Sequence, residues 1–260
     1  MSNTPAAMAG ADFDPRRHVP APAELEGRVI AITGASDGIG RAVARGCALH
    51  GATVVLVGRN QRKLETVQEQ IEAERPASTT VAVLDLERAL ASDYDRLAAA
   101  LLERFGRLDG LLHNASILGT LSPIEHYDVP TWCRVLHVNL TAAFALTQVL
   151  LPVIKRSKDA AILFTSSGVG RRGKAYWGAY AVSKFGIEGL AQVLASELSD
   201  ITAIRVNTIN PGPTRTRMRA QAYPAENPAQ LRTPDSLVAP YLALLGPASG
   251  GISGGSFDAQ

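Results

Sequence analysis

Three side chains that could act together on a carbonyl group lie in the segment SSGVGRRGKAYWGAYAVSK, which runs from Ser166 to Lys184. Tyr180 and Lys184 are four residues apart, so a helix presents both on one face. An ammonium about 4 Å from a phenol favours the phenolate by about 4 kcal/mol at an effective dielectric of about 20. We therefore expect Lys184 to lower the pKa of Tyr180, so that the phenol exchanges its proton near neutral pH.

A serine thirteen residues before the tyrosine completes the pattern. Ser167 is separated from Tyr180 by a glycine-rich turn, and a hydroxyl at this place can stabilise the alkoxide that develops during carbonyl reduction. Its neighbour Ser166 is a rival, but the spacing to the tyrosine favours Ser167. Taken singly, the serine equally fits a turn, and the tyrosine–lysine pair equally fits a solvated helix face.

The rest of the chain predicts a parallel α/β sheet as the scaffold. Its apolar runs are continuous rather than alternating, as in strands that are covered on both faces, and each run is followed by a helical segment. The predicted strands span 29–33, 53–57, 80–84, 110–113, 160–165 and 204–208, and the predicted helices span 38–50, 60–75, 92–105, 130–156 and 178–199. One apolar stripe on the fourth helix contains Leu136, Leu140, Phe144 and Leu151.

Length and composition indicate one large domain. The chain has 260 residues, of which 46% are hydrophobic, and a formal net charge of +2, which gives no reason to expect nucleic acid or a membrane as a partner. Residues 1–26 read as a flexible arm and residues 27–260 as a single catalytic domain. Cys47 and Cys133 suggest neither a disulfide framework nor a metal site. With no apolar run typical of a signal peptide or a membrane span, we expect a cytoplasmic protein without a metal.

The first predicted strand runs into the sequence TGASDGIG. Gly34, Gly38 and Gly40 stand where strand becomes helix, and the free N–H groups of that helix can bind a pyrophosphate. An ordinary tight turn uses the same residues, but the position between the first strand and the first helix favours the nucleotide interpretation. Asp37 argues the other way, because a carboxylate beside a phosphate is unfavourable.

The second predicted strand is followed by Arg59, about twenty residues beyond the glycine turn. A carboxylate at this place would bind the free 2′-hydroxyl of NAD, whereas an arginine accommodates the 2′-phosphate of NADP. The sequence therefore favours NADP over NAD, with a solvated loop arginine as the alternative.

An ordered set of motifs resembles the short-chain dehydrogenase/reductase family from Arg28 to the end of the chain, and within it a bacterial branch of poorly characterised NAD(P)-dependent oxidoreductases. The motifs are TGASDGIG, Asp85-Leu86, LDGLLHNAS, HVNLTAAF, TSSGVG, YAVSK and NPGPTRT. The resemblance implies a Rossmann-type doubly wound sheet of about seven strands, a short substrate loop near 213–234, and a homodimer or homotetramer formed through the helices at 130–156 and 178–199.

The same resemblance implies the roles of individual residues. Ser167 and Tyr180 would act on the substrate, Lys184 would also bind the nicotinamide ribose, and Asn139 would bind a water that leads from Lys184 to solvent. The implied contacts to the cofactor are Gly34, Ser36, Gly38, Ile39, Gly40, Arg59, Asp85, Leu86, Asn114, Tyr180, Lys184, Pro211, Gly212, Thr214 and Thr216.

These features predict an oxidoreductase that uses NADP(H) on a carbonyl or alcohol substrate, such as a 3-oxoacyl thioester or another ketone. The alternatives are a catalytically silent nucleotide-binding protein of the same fold, and an epimerase or dehydratase. The clusters RRGK and RTRMR either attract an anionic substrate or are solvated surface. Trp177 either lines the substrate mouth or packs, and His113 reads as a core histidine rather than a catalytic group.

Overall fold

Seven parallel strands form one sheet in the computed structural model, which describes residues 13–260. The spatial order is β3-β2-β1-β4-β5-β6-β7, so the predicted doubly wound sheet of about seven strands is confirmed. The strands are β1 (Val29–Thr33), β2 (Thr53–Gly58), β3 (Thr79–Val83), β4 (Gly110–His113), β5 (Ala161–Thr165), β6 (Arg205–Asn210) and β7 (Ser256–Asp258).

Helices cover both faces of this sheet, as the continuous apolar runs require. The core on one face is built with α3, α5 and α6, and the core on the other face with α1, α2 and α8. The helices are α1 (Gly38–Leu49), α2 (Gln61–Glu72), α3 (Ala91–Phe105), α4 (Val129–Leu136), α5 (Ala142–Ile154), α6 (Gly178–Leu198), α7 (Arg217–Ala222) and α8 (Val238–Leu245).

The strand order reverses between β1 and β4, and this reversal opens a crevice at the carboxyl ends of the strands. Ile30 of β1 pairs with Val54 of β2 on one side and with Gly110 of β4 on the other. The loops after these strands leave in opposite directions, which is where doubly wound sheets hold their ligands. The loops after β1, β2, β4, β5 and β6 all reach this edge.

The long helix predicted at 130–156 is interrupted by one wider turn. Residues His137–Thr141 form a π-helical turn between α4 and α5, and such turns often lie at functional sites. The face of α5 that packs on the sheet carries Leu146 and Leu150, which are fully buried. The predicted apolar stripe only partly follows this face: Leu140 and Leu151 pack against the core, whereas Phe144 is 47% exposed.

The same stretch, Val129–Ile154, is long and apolar enough to cross a membrane by length and composition alone. Half of its most apolar window is buried inside the fold, as expected for a core helix. The expectation that no segment of the chain has the composition of a membrane span is thus corrected.

Residues 13–26, the described part of the arm predicted for 1–26, contact the rest of the domain. Pro15–Arg17 form one turn of 3-10 helix, Phe13 packs edge-on against Phe257 at 5.7 Å, and Leu25 is fully buried beside α8. Apolar contacts of this kind hold the segment to the domain. Residues 1–12 of the predicted arm lie outside the described residues.

Candidate active site

A cavity of about 660 Å³ lies in the crevice between the glycine turn and the start of α6. This volume is typical of sites for organic ligands. Nearly all of the residues predicted to contact a cofactor or substrate line it. They are Gly34, Ser36, Gly38, Ile39, Arg59, Asp85, Leu86, Asn114, Ser167, Tyr180, Lys184, Pro211, Gly212, Thr214 and Thr216, whereas Gly40 and Asn139 lie behind its wall.

Tyr180 and Ser167 meet at the floor of the cavity. The tyrosine lies in the first turn of α6 and is buried, and Ser167 lies two residues beyond the end of β5. Burial raises the pKa of Tyr180 to about 12, and the nearby Ser167 hydroxyl acts in the opposite direction. The phenol is therefore protonated at neutral pH and can donate that proton.

Lys184 lies one helical turn beyond Tyr180 and is 3% exposed. Its Nζ donates to the carbonyl oxygen of Thr165 at 2.8 Å and lies 5.6 Å from the centroid of the Tyr180 ring. Burial lowers the pKa of Lys184 to about 8, against the opposing effect of the Glu188 carboxylate. The predicted net lowering of the Tyr180 pKa is not found, because desolvation of the phenol is the largest influence on it.

Asn139 occupies the middle of the π-helical turn and is buried. Its Oδ1 accepts from the Ile117 N–H at 2.8 Å, and its Nδ2 donates to the Ile117 carbonyl at 2.9 Å and to Ser183 Oγ at 3.0 Å. The side chain thus ties the loop after β4 to α6. Both of its N–H groups are engaged in these bonds, so the predicted water relay through Asn139 stays a prediction.

Glu188 is a buried acid behind the site that sequence reasoning missed. Its carboxylate accepts hydrogen bonds from Ser166 Oγ at 2.5 Å, Thr208 Oγ1 at 2.7 Å and Ser256 Oγ at 2.8 Å, and these bonds hold its pKa below the usual range despite burial. Its position four residues beyond Lys184, on the same helix face, is the signal that could have revealed it.

Arg171 joins this network to the last strand. Its Nε donates to Glu188 Oε1 at 3.1 Å, its Nη1 to Asp258 Oδ1 at 2.9 Å and its Nη2 to the Phe257 carbonyl at 2.7 Å. The loop after β5, which carries both serines, is therefore fastened to β7. Both serines line the cavity, but the Ser166 hydroxyl donates to Glu188, so Ser167 remains the predicted partner of the substrate.

The glycine turn has the backbone that a close approach requires. Gly34 has φ +67° and Gly38 has φ +51°, conformations that favour glycine. At Gly40 a Cβ atom would overlap the Gly34 carbonyl and the Asn114 side chain, so only glycine lets α1 begin here. The helix N-terminus faces the cavity, where its N–H groups suit a pyrophosphate.

Asp37 does not oppose anion binding in the way the sequence suggested. Its side chain accepts from the Gly38 N–H at 2.8 Å and so caps α1, and its second oxygen lies 3.3 Å from Arg217 Nη2 of α7. The carboxylate is thereby compensated, and its ion pair connects the glycine turn to α7, the helix after β6.

Arg59 lies at the cavity edge beyond β2, where a 2′-phosphate would be expected. Its side chain is 61% exposed and lies 3.7 Å from the Glu87 carboxylate, which is bound at 2.8 and 2.9 Å by Arg134. Arg59 is thus loosely held and free to turn to a phosphate, whereas Arg134 already satisfies Glu87.

The loop after β6 forms the opposite edge of the cavity. Thr216 caps α7 by accepting from the Arg219 N–H at 3.2 Å, and Gly212 adopts φ +67°. Gln260 Nε2 donates to the carbonyl oxygens of Pro211 and Pro213, which fixes the turn. Thr214 is buried.

Aromatic and basic side chains form the wall nearest Tyr180. The Trp177 ring lies 5.7 Å from the Tyr180 ring and 5.8 Å from the Tyr223 ring, measured between centroids. Lys174 Nζ donates to Tyr223 Oη at 2.7 Å. Trp177 therefore both packs and lines the cavity mouth.

His113 is a core residue. Its ring stacks on Phe164 at 4.7 Å, its Nε2 is 2.8 Å from Thr147 Oγ1, and burial lowers its pKa to about 3. The ring is neutral and takes no place in the cavity. Within residues 13–260 no cluster of three or more His, Cys, Asp or Glu side chains is arranged for a metal.

The residues of the cavity fit a dinucleotide. The tight glycine turn and the N-terminus of α1 suit the pyrophosphate, Arg59 suits a phosphate on the ribose, and Lys184 with Tyr180 lies at the far end.

Comparison with known proteins agrees with this geometry. The family profile described as short chain dehydrogenase matches residues 28–227. The uncharacterised oxidoreductase YciK of Escherichia coli K12 is 47% identical over 236 residues, which cover 91% of this chain and 93% of that protein. The chain therefore belongs to the short-chain dehydrogenase/reductase family and is an oxidoreductase.

Solved structures of similar proteins share the whole fold. A protein described as a short chain dehydrogenase from Pseudomonas syringae is 52% identical, with a TM-score of 0.93 over 95% of this chain and 99% of that one. One so described from Escherichia coli CFT073, crystallised in complex with NADPH, is 46% identical, with a TM-score of 0.89 over 92% of this chain and 100% of that one.

Proposed function

We propose that this chain is an NADP(H)-dependent oxidoreductase that interconverts a carbonyl compound and its alcohol, such as a 3-oxoacyl thioester or another ketone. One observation carries the proposal. A protonated, buried phenol, Tyr180, lines the same cavity as Ser167 and Lys184, and the other end of this cavity is a glycine turn at a helix N-terminus.

Each side chain of the site has a separate role in the reduction. Bound NADPH supplies the hydride for the carbonyl carbon. Ser167 holds the carbonyl oxygen, and Tyr180 gives its proton to that oxygen as negative charge develops on it. Lys184, fixed by the Thr165 carbonyl, stabilises the phenolate that remains, because two opposite charges attract strongly in a desolvated site. Asn139 keeps the loop after β4 in place.

NADP rather than NAD is the proposed cofactor. Support comes from Arg59, whose guanidinium lies at the edge of the cavity beyond β2 and is only loosely paired with Glu87 at 3.7 Å. The similar Escherichia coli CFT073 protein was crystallised with NADPH, which agrees with this choice. The cofactor contacts and catalytic roles named from the sequence are all part of this proposal.

Three further expectations belong to the same proposal. Residues 27–260 act as one catalytic domain, with substrate loops near 213–234. A second copy of the chain covers the outward faces of α5 and α6 to give a homodimer or homotetramer. The free thiols of Cys47 and Cys133 agree with a reducing, cytoplasmic location.

The decisive experiment replaces the proton donor alone. Tyr180→Phe removes the hydroxyl and keeps the ring, so we expect turnover of an aldehyde and ketone panel to fall at least about 1,000-fold, within the range for one acid–base group. NADPH binding, measured by quenching of protein fluorescence, should stay within about threefold. Retained turnover in this variant contradicts the mechanism. NADPH binding by the wild-type protein without turnover of any panel member favours the silent nucleotide-binding alternative.

A further inference from the structure

The wall of the cavity next to Tyr180 combines two aromatic rings with one ammonium. Trp177 and Tyr223 come from different loops, and their ring planes are tilted by 39° at a centroid distance of 5.8 Å. Lys174 Nζ lies 5.8 Å from the Trp177 ring centroid and 5.0 Å from the Tyr223 ring centroid. All three side chains line the cavity.

The other cations of this wall already have carboxylate partners. Arg219 Nε donates to Glu226 Oε2 at 2.6 Å and its second bond to that carboxylate is 2.5 Å long, while Arg217 pairs with Asp37. Lys174, in contrast, donates to a neutral phenol and has no carboxylate within 4.0 Å among the described residues. A neutral oxygen is a weaker partner for an ammonium than a carboxylate is, so an incoming anion can replace or share it.

The Trp177 ring is a neighbour of both this ammonium and the reacting group. The Trp177 ring lies 5.8 Å from Lys174 Nζ and 5.7 Å from the Tyr180 ring. A substrate that lies against Trp177 with its carbonyl at Tyr180 therefore brings an anionic group at its far end to Lys174.

We propose that Lys174 is a specificity-determining residue that binds the carboxylate of an aldehyde or ketone substrate, whose body lies against Trp177 and Tyr223. This inference rests on the proposed carbonyl reduction and narrows it to anionic substrates that have a flat or apolar body. Lys174 does not take part in proton transfer. It selects the substrate by charge, and the two rings form the surface against which the substrate body packs.

The test compares two aldehydes that differ in one charge, 4-carboxybenzaldehyde and its methyl ester, with NADPH as reductant. The wild-type protein should prefer the acid, and Lys174→Met should lower the ratio of the two kcat/KM values at least about tenfold, as expected for loss of one charge-assisted bond. Arg172→Met is the matched control, because Arg172 lies in the same loop, is exposed and does not line the cavity. That variant should leave the ratio unchanged.

A second variant distinguishes anion binding by Lys174 from a purely structural role of its hydrogen bond to Tyr223. Tyr223→Phe removes the bond from Lys174 but keeps the ring and the ammonium, so the acid-to-ester ratio should stay within about threefold of the wild-type value. The proposal is overturned if Lys174→Met leaves the acid-to-ester ratio of kcat/KM unchanged. It is also overturned if Lys174→Met and Tyr223→Phe lower kcat/KM equally for both aldehydes.

A binding measurement keeps this inference distinct from the proposed function. In a calorimetric titration, 4-(hydroxymethyl)benzoate is added to protein that already contains NADP⁺. It should bind Lys174→Met at least about tenfold more weakly than it binds the wild-type protein. Equal affinities overturn the inference even if both aldehydes are reduced. If neither aldehyde is reduced but the difference in affinity is found, the anion site stands and the proposed reaction fails.

Discussion

At the scale of single residues, burial moves the two central pKa values in opposite directions. It raises the pKa of the Tyr180 phenol to about 12 and lowers the pKa of the Lys184 ammonium to about 8, because burial disfavours the charged form of each. Spacing on a helix predicts that the two groups share a face, but it does not reveal how much water each one loses. This is why sequence reasoning found the pair and gave the wrong direction for the phenol.

The depressed pKa of Lys184 gives stability a pH dependence. The unfolded chain has a lysine pKa near 10.5 and binds more protons than the folded chain between pH 8 and 10.5, so this residue makes the free energy of unfolding rise with pH in that window. We expect the stability of wild type relative to Lys184→Met to rise by about 1 kcal/mol per pH unit above pH 8. Urea unfolding of both proteins at pH 7.5, 8.5 and 9.5 measures this difference in the free energy of unfolding. A difference that does not change with pH contradicts the prediction.

Arg59 should decide between the two nicotinamide cofactors. Its guanidinium is the group at the cavity edge beyond β2 that can bind the 2′-phosphate. Arg59→Ala should reduce the NADPH-over-NADH preference in kcat/KM at least about tenfold, chiefly through weaker NADPH binding. Arg62→Ala is the control, since Arg62 lies exposed on α2 and does not line the cavity. An unchanged preference in Arg59→Ala removes the cofactor assignment.

At the scale of elements, the strands were the most predictable part of the fold. Continuous apolar runs identified β1 to β6 to within two residues at each end, because strands buried on both faces must be apolar throughout. The three-residue strand β7 follows a glycine-rich segment and is not buried, so it gave no such run. Helical periodicity also could not reveal the π-helical turn at His137–Thr141. Such a turn contains one more residue than an α-helical turn, so it changes which helix face meets the sheet.

The start of α1 offers a test of the glycine turn as an element. A methyl group at Gly40 would overlap the Gly34 carbonyl and Asn114, so Gly40→Ala must push α1 away from β1. We expect a loss of about 1–3 kcal/mol in stability, as for other overpacked sites, together with at least about tenfold weaker NADPH binding. Gly173→Ala is the matched control, because a methyl group there meets nothing within 4 Å.

Thermal unfolding and fluorescence titration measure the two effects. Gly173→Ala should leave the free energy of unfolding within about 1 kcal/mol of wild type. If Gly40→Ala behaves like this control in both measurements, the close approach of α1 to the turn has no part in holding the dinucleotide.

At the scale of the whole molecule, the outward apolar face of α5 and α6 calls for a covering surface. Phe144, Val182, Phe185 and Val193 are all exposed, and exposed apolar groups of this size gather at subunit interfaces. The apolar stripe predicted at Leu136, Leu140, Phe144 and Leu151 is divided between the core, which Leu140 and Leu151 contact, and this outward face, which carries Phe144. Periodicity alone cannot distinguish a residue that faces the core from one that faces a second subunit.

Association through this face can be tested by a substitution that places one charge on it. Phe185→Glu should convert the proposed dimer or tetramer to a smaller species in sedimentation velocity, because burying an unpaired carboxylate in an interface is unfavourable. Val83→Glu, an exposed site at the end of β3, is the control and should sediment as wild type. A wild-type protein that is monomeric at micromolar concentration would contradict the proposed interface.

The positions of the site residues along the chain were predictable, and the shape of the substrate wall was not. Lys174 and Tyr223 are 49 residues apart and meet only because the loops after β5 and β6 fold toward each other. Loop conformations of this kind depend on contacts that no local pattern records. The sequence therefore predicts the reaction type through Ser167 and Tyr180, whereas the proposed selection among substrates rests on the coordinates.

The three-way anchoring of Arg171 has a consequence for laboratory evolution of this protein. One guanidinium fixes the serine-bearing loop to Glu188, Asp258 and the Phe257 carbonyl, so substitutions between 166 and 171 disturb the sheet edge as well as chemistry. Positions 174, 177 and 223 carry no such anchor, and mutant libraries confined to them should yield altered substrate preferences at little loss of soluble protein.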